Sequence, residues 1–242
     1  MRQDNNPWGP KTDWNQSPNG QARTIDQFTS EHQLAANKVL RNTYLMLSMT
    51  LLFSAITAGI SMSMKALPIN PILTLIIYFG LFFAISKTKN SSMGIVLTFA
   101  LTGFLGFTIG PILNLYIANF SNGSELILMA LGSTALIFFG LSAISLNPNR
   151  NFSKMGAFIG IGAIVALIAI VANLFFQIPA LSLAISVVVA LISGGLIMFQ
   201  TNMIVRGGET NYIMASVTLY ISILNLFLIA LQFLGMFAGN RN

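Results

Sequence analysis

Seven apolar stretches, most close to twenty residues long, follow one another along the chain at 44–64, 67–85, 91–117, 126–146, 155–176, 180–200 and 212–237. A bilayer hydrocarbon core of ~30 Å takes about 20 residues of helix, and a helix satisfies its backbone N–H and C=O groups internally, where hydrocarbon offers no partner. The pattern therefore predicts an all-α polytopic membrane protein of seven transmembrane helices. Breaks between the stretches carry turn and charge signals: Lys65 with Pro68 and Pro71, Lys87 to Asn90, Ser121 to Ser124, Asn147 to Arg150, Gln177 to Pro179, and Arg206-Gly207-Gly208-Glu209. The third stretch is long for a straight crossing and contains Gly110-Pro111, which predicts a kink or a half-helix ending at the membrane surface. Ser124 followed by Glu125 predicts the capped start of the fourth helix.

Residues 1–37 are rich in Asn, Gln, Thr, Pro and Gly and lack aliphatic periodicity, which predicts a disordered tail ahead of a transmembrane domain at 38–242. No small-residue cleavage pattern follows the first apolar stretch, so it reads as a retained signal anchor. Trp8 and Trp14 lie in that tail, either as docking residues for a partner or by chance placement.

Charge sharpens this picture. Only 7% of the 242 residues are charged, against roughly 25% in soluble domains. Nine charges fall in residues 1–41 and nine in all the rest. The net charge of +6 comes with no basic cluster interleaved with aromatics, which excludes a nucleic-acid module. With the amino terminus placed in the cytoplasm, Arg2, Lys11, Arg23, Lys38, Arg41, Lys87, Lys89, Arg150, Lys154 and Arg206 all lie inside, and only Lys65 and Arg241 lie outside. That positive-inside bias predicts a multi-pass inner-membrane protein with a cytoplasmic amino terminus and a periplasmic carboxyl terminus.

Candidate chemistry is sparse. The chain has no Cys, its single His is His32, and no Asp follows Asp26. Serine, metal-dependent and paired-aspartate intramembrane proteolysis all lack their groups, so no enzyme activity, metal or cofactor is expected. No ionisable residue falls mid-span, and Glu125 and Glu209 sit at predicted helix ends. The amides Asn114, Asn173, Gln177, Gln200, Asn202, Asn225 and Gln232 read as bridges between helices. Gln200, Asn202 and Asn225 bracket the last connection and are expected to meet. Gly106 with Gly110, and Gly156 with Gly160, are small-xxx-small pairs that permit close helix approach.

The last two spans carry a specific signature: Phe199-Gln200-Thr201-Asn202, then Gly207-Gly208-Glu209-Thr210-Asn211-Tyr212-Ile213, then Leu219-Tyr220-Ile221-Ser222-Ile223-Leu224-Asn225-Leu226-Phe227. With Lys38 to Tyr44, Thr102 to Gly106, Gly110 to Asn114 and Gln177 to Leu181, this resembles the Bax inhibitor 1 (transmembrane Bax inhibitor motif) family, nearest its bacterial YccA branch. The resemblance covers about residues 36 to 237. It implies seven helices with the last central and the other six in two groups of three. It also implies a role in modulating the membrane-bound AAA protease FtsH, the partner it names besides the lipid bilayer; no oligomeric state follows. An alternative role in the family is a pH-dependent calcium leak, which uses two aspartates in helices six and seven. Gln200 and Ser222 stand at those positions here, so the leak is weakened, and the two side chains are expected to hydrogen-bond to each other across the helix pair. Arg206, Gly207, Gly208 and Glu209 form the candidate loop between those helices.

Overall fold

The computed structural model describes residues 25–239, with side chains from Gln33 onward. Among the described residues there are seven helices and no strands: α1 Ile25–Ser63, α2 Pro71–Thr88, α3 Ser92–Asn119, α4 Gly123–Ser145, α5 Met155–Phe176, α6 Pro179–Val205 and α7 Tyr212–Gly239. All seven are long and apolar enough to cross a membrane.

Local chemistry sets most of the ends. The Asn70 side chain accepts a hydrogen bond from the Ile72 amide (2.9 Å), and Pro71 occupies the first turn of α2, where its missing N–H costs nothing. Pro179 does the same for α6, directly after Gln177 closes α5 in the left-handed region at φ 51°. Helix α4 starts at Gly123 with Asn122 at its cap and no side-chain cap bond, so Ser124 does not serve as the cap.

Two sequence expectations change here. Helical backbone begins at Ile25, within the segment expected to be disordered, because 25–37 holds good helix formers (Glu31, Gln33, Leu34, Ala35, Ala36) with acids near its start. Residues 1–24, with Trp8 and Trp14, and 240–242, with Arg241, lie outside the described residues. Helix α3 runs through Pro111 as one continuous helix, so the half-helix alternative does not occur.

Helix α3 packs against both α1 and α2, and α6 packs against both α4 and α5. The six helices thus form two trios, and α7 lies against α1, α3, α4 and α6. Half of the most apolar stretch of α3 and of α7 is buried, against 6% for α2 and 11% for α5, which places α3 and α7 inside and α2 and α5 at the lipid-facing margin. The core around α7 combines Leu101, Leu105, Ile197, Val217, Leu219 and Tyr220.

In the first trio, α3 carries small residues every fourth position: Gly94, Thr98, Thr102, Gly106 and Gly110. A methyl group added at Gly106 would run into the Ser54 carbonyl oxygen and the Thr57 hydroxyl, and one at Gly110 would meet Ser61 and the Ala58 carbonyl oxygen. Backbones therefore approach closely along this seam. Asn114 closes its far end by donating to the Met62 carbonyl (3.0 Å).

Candidate functional site

The loops α2–α3, α4–α5 and α6–α7 share one end of the bundle, which also carries the exposed cations Lys87, Lys89, Arg150, Lys154 and Arg206. Helix α6 delivers Asn202 there, fully buried, and the side chain acts as a clamp on the α4–α5 connection. Its Nδ2 donates to the Arg150 carbonyl (2.9 Å) and the Ser145 carbonyl (3.3 Å), while its Oδ1 accepts from the Phe152 amide (3.2 Å). Arg206 adds two weaker bonds, from Nη1 to the Pro148 and Arg150 carbonyls (3.4 and 3.3 Å).

The α6–α7 turn is built by Gly207 at φ 73°, a conformation suited to glycine, with the Gly208 and Glu209 amides both donating to the Met203 carbonyl (2.8 and 3.1 Å). Glu209 then accepts from the Asn211 amide (2.7 Å) and from Gln200 Nε2 (3.4 Å). Asn211 caps α7 through Oδ1, which accepts from the Ile213 and Met214 amides (3.1 and 3.0 Å), and its Nδ2 reaches the Lys89 carbonyl and Asn90 Oδ1 (both 2.9 Å). One short turn therefore ties α6, α7 and the α2–α3 loop together. Asn211 was not singled out from sequence, although an Asn directly before an apolar helix start is a cap signal.

The four residues expected to meet across helices six and seven do not bond to one another among the described residues. No hydrogen bond joins Gln200 and Ser222 among the described residues: Gln200 turns to Glu209, and Ser222 donates to the Thr218 carbonyl one turn back in its own helix (2.8 Å). Asn202 serves the α4–α5 connection, and Asn225 donates to Ser193 Oγ midway along α7 (3.4 Å). The carbonyl one turn back is a ready local partner for a helical serine, and Ser222 takes it.

Polar contact between α7 and the first trio runs instead through Tyr220. Its hydroxyl donates to the Thr102 carbonyl (3.2 Å) and accepts from Ser54 Oγ (2.7 Å), joining α7, α3 and α1 in a fully buried knot. Ser216 Oγ extends the link with its proton shared between the Tyr212 carbonyl one turn back (2.6 Å) and the Thr43 carbonyl of α1 (3.0 Å). Toward the other end, Ser186 of α6 donates to Gln232 Oε1 (2.7 Å). Among the described residues no group of three His, Cys, Asp or Glu is brought together.

These features define a multi-pass α-helical membrane protein whose central last helix is locked to its neighbours by uncharged side chains. Residues 36–239 match the family model described as inhibitor of apoptosis-promoting Bax1, and the chain belongs to that Bax inhibitor family. It is 50% identical over 202 residues to the modulator of FtsH protease YccA of Escherichia coli strain K12, a match covering 84% of this chain and 91% of the relative. A protein of E. coli O6:H1 named inner membrane protein YccA matches with the same identity and coverage. A membrane protein of Vibrio cholerae is 45% identical, over 87% of this chain and 94% of its own.

Proposed function

We propose that this chain is a non-enzymatic regulator of the bacterial inner membrane that binds the AAA protease FtsH and limits its degradation of other membrane proteins. The observation that carries the reading is the half-identity, along nearly the whole length of both chains, to a relative named for modulating that protease. The amino terminus lies in the cytoplasm, as the distribution of Lys and Arg supports, so the polar segment 1–24 is within reach of a cytoplasmic pulling machine.

The packing suggests how modulation works. A pull on the amino terminus loads α1 first, and α1 is the helix interlocked with the glycines of α3 and tied to Tyr220 of α7. Extraction has to break that seam before any helix leaves the membrane, so the protease stays engaged and is withheld from other substrates. Against the calcium-leak alternative stands the absence of a carboxylate at positions 200 and 222.

Affinity purification of the tagged full chain from native membranes tests the reading, with a variant lacking residues 1–24 as control. FtsH is expected to co-purify with the full chain and to be depleted with the shortened one. Absence of FtsH from both preparations would remove the proposal.

A further inference from the structure

The cations at the loop end of the bundle fall into two sets. Lys87 and Lys89 belong to the α2–α3 side, whereas Arg150, Lys154 and Arg206 meet at the α4–α5 connection. Arg206 Nη1 rests on the Pro148 and Arg150 carbonyls, which plants its guanidinium on the loop that carries Arg150, and Lys154 stands where that loop enters α5. No carboxylate balances this set. Among the described side chains the only acids are Glu125, at the opposite end of α4, and Glu209, whose two oxygens are engaged by the Asn211 amide and Gln200. Arg206 Nε and Nη2 have no partner among the described residues. Helix α5 opens with neither an acid in its first turn nor a side-chain cap, so its positive end adds to the same field.

Directly below these cations runs a trough of hydrocarbon. Helices α4 and α5 each pack on α6 but make no extended contact with one another. A methyl group at Gly194 would meet Leu141 of α4, and one at Gly195 would meet Ile159 of α5, so the two glycines mark the two flanks of α6. Leu191 and Met198 stand three and four residues from that pair, on the line between the flanks, and Leu191 is 73% exposed there. Asn202 continues the line one turn beyond Met198, where the α4–α5 loop covers it. The axial distance from Asn202 to Leu191 is about 16 Å, close to the half-thickness of about 15 Å that one acyl chain spans in a bilayer.

We propose that the trough and the cations above it bind an anionic phospholipid, its phosphate held by Arg150, Lys154 and Arg206 and one acyl chain lying over Met198 and Leu191. An acidic soluble partner would use the cations but not the trough, and a zwitterionic lipid would use the trough without neutralising the cations; an anionic lipid uses both. The proposal is independent of the protease reading.

The test places the full chain in phosphatidylcholine nanodiscs containing a trace of phosphatidylglycerol with a diazirine in its acyl chain. Parallel discs carry the diazirine on phosphatidylcholine of the same chains, and crosslinks are mapped by peptide. The ratio of phosphatidylglycerol to phosphatidylcholine labelling at Met198 and Leu191 is expected to be about tenfold, against about one at Leu52, an exposed position on α1. Arg150→Gln combined with Lys154→Gln is expected to lower the ratio to about twofold. Both side chains are exposed and form no hydrogen bond among the described residues, so this variant retains the fold. Lys87→Gln combined with Lys89→Gln removes the same charge from the other set and is expected to leave the ratio unchanged. Excess inorganic phosphate, which has no chain to fill the trough, is expected not to compete. Equal ratios at Leu191 and Leu52, or an equal loss from both pairs of substitutions, would overturn the proposal, the second result meaning diffuse attraction to a basic surface. Full competition by phosphate would overturn it as well, because the cations would then read a free anion.

Discussion

The two trios of helices hold themselves together in different ways. In the first, α1 and α3 meet backbone to backbone: methyl groups at Gly106 and Gly110 would collide with main-chain oxygens of α1. In the second, Gly132, Gly140 and Gly160 face open space, and Gly162, Gly194 and Gly195 touch only the ends of flexible side chains at 3.2–3.4 Å. What binds the second trio at its cationic end is polar, the Asn202 clamp on the α4–α5 connection. Close packing along a seam gives rigidity through the depth of the membrane, whereas in the second trio the tight contacts lie toward one end, at Asn202 and where Gly156 meets the Phe199 ring. The rigid trio contains the helix nearest the amino terminus, which suits a chain that resists extraction from that side.

This contrast can be broken in graded steps. Gly106→Ala should be the most damaging, because the neighbour it meets is backbone and cannot rotate away; overpacking of about 1–3 kcal/mol is expected as a lower unfolding temperature in detergent. The same variant should be degraded faster in cells containing FtsH and protect other substrates less. Asn202→Ala leaves the half-buried Phe152 amide and the Ser145 carbonyl without their side-chain partner and the Arg150 carbonyl with only the weak Arg206 bond, and should cost about 2 kcal/mol, appearing as faster proteolytic nicking between Asn147 and Lys154. Tyr220→Phe removes one donor from the Ser54–Thr102 knot, and intramembrane hydrogen bonds of this kind are worth about 0.6–1.7 kcal/mol, measurable by thermal unfolding. Gly160→Ala sits in the loose trio with nothing within 4 Å and should change stability by less than about 0.5 kcal/mol. A large loss there would erase the distinction between the trios.

The spans were legible because hydrocarbon thickness imposes a length that local sequence has to meet, and Pro71 and Pro179 mark helix starts that composition alone blurs. Helix α1 begins ahead of its apolar stretch because 25–37 is both polar and helix-forming, and polarity alone does not separate such a segment from a disordered one. Pro111 did not end α3, since its surroundings are protein: Gly110 lies against Ser61 and Ala58. The glycine pair 106 and 110 was read correctly as a contact, while Gly156 meets Phe199 and Gly160 meets nothing.

Side-chain partners were harder to foresee. Which residue Gln200 or Asn202 reaches depends on helix rotation and depth, and two positions two residues apart point to different loops. The Tyr220 knot joins residues far apart in sequence, Ser54, Thr102 and Tyr220, and no local spacing announces it.

The regulatory account is tested most directly by the half-life of an FtsH membrane substrate in cells expressing the full chain, the chain lacking residues 1–24, or neither. The account predicts a longer half-life with the full chain alone. An unchanged half-life, in cells where the full chain is present at the level of the protease, would contradict it.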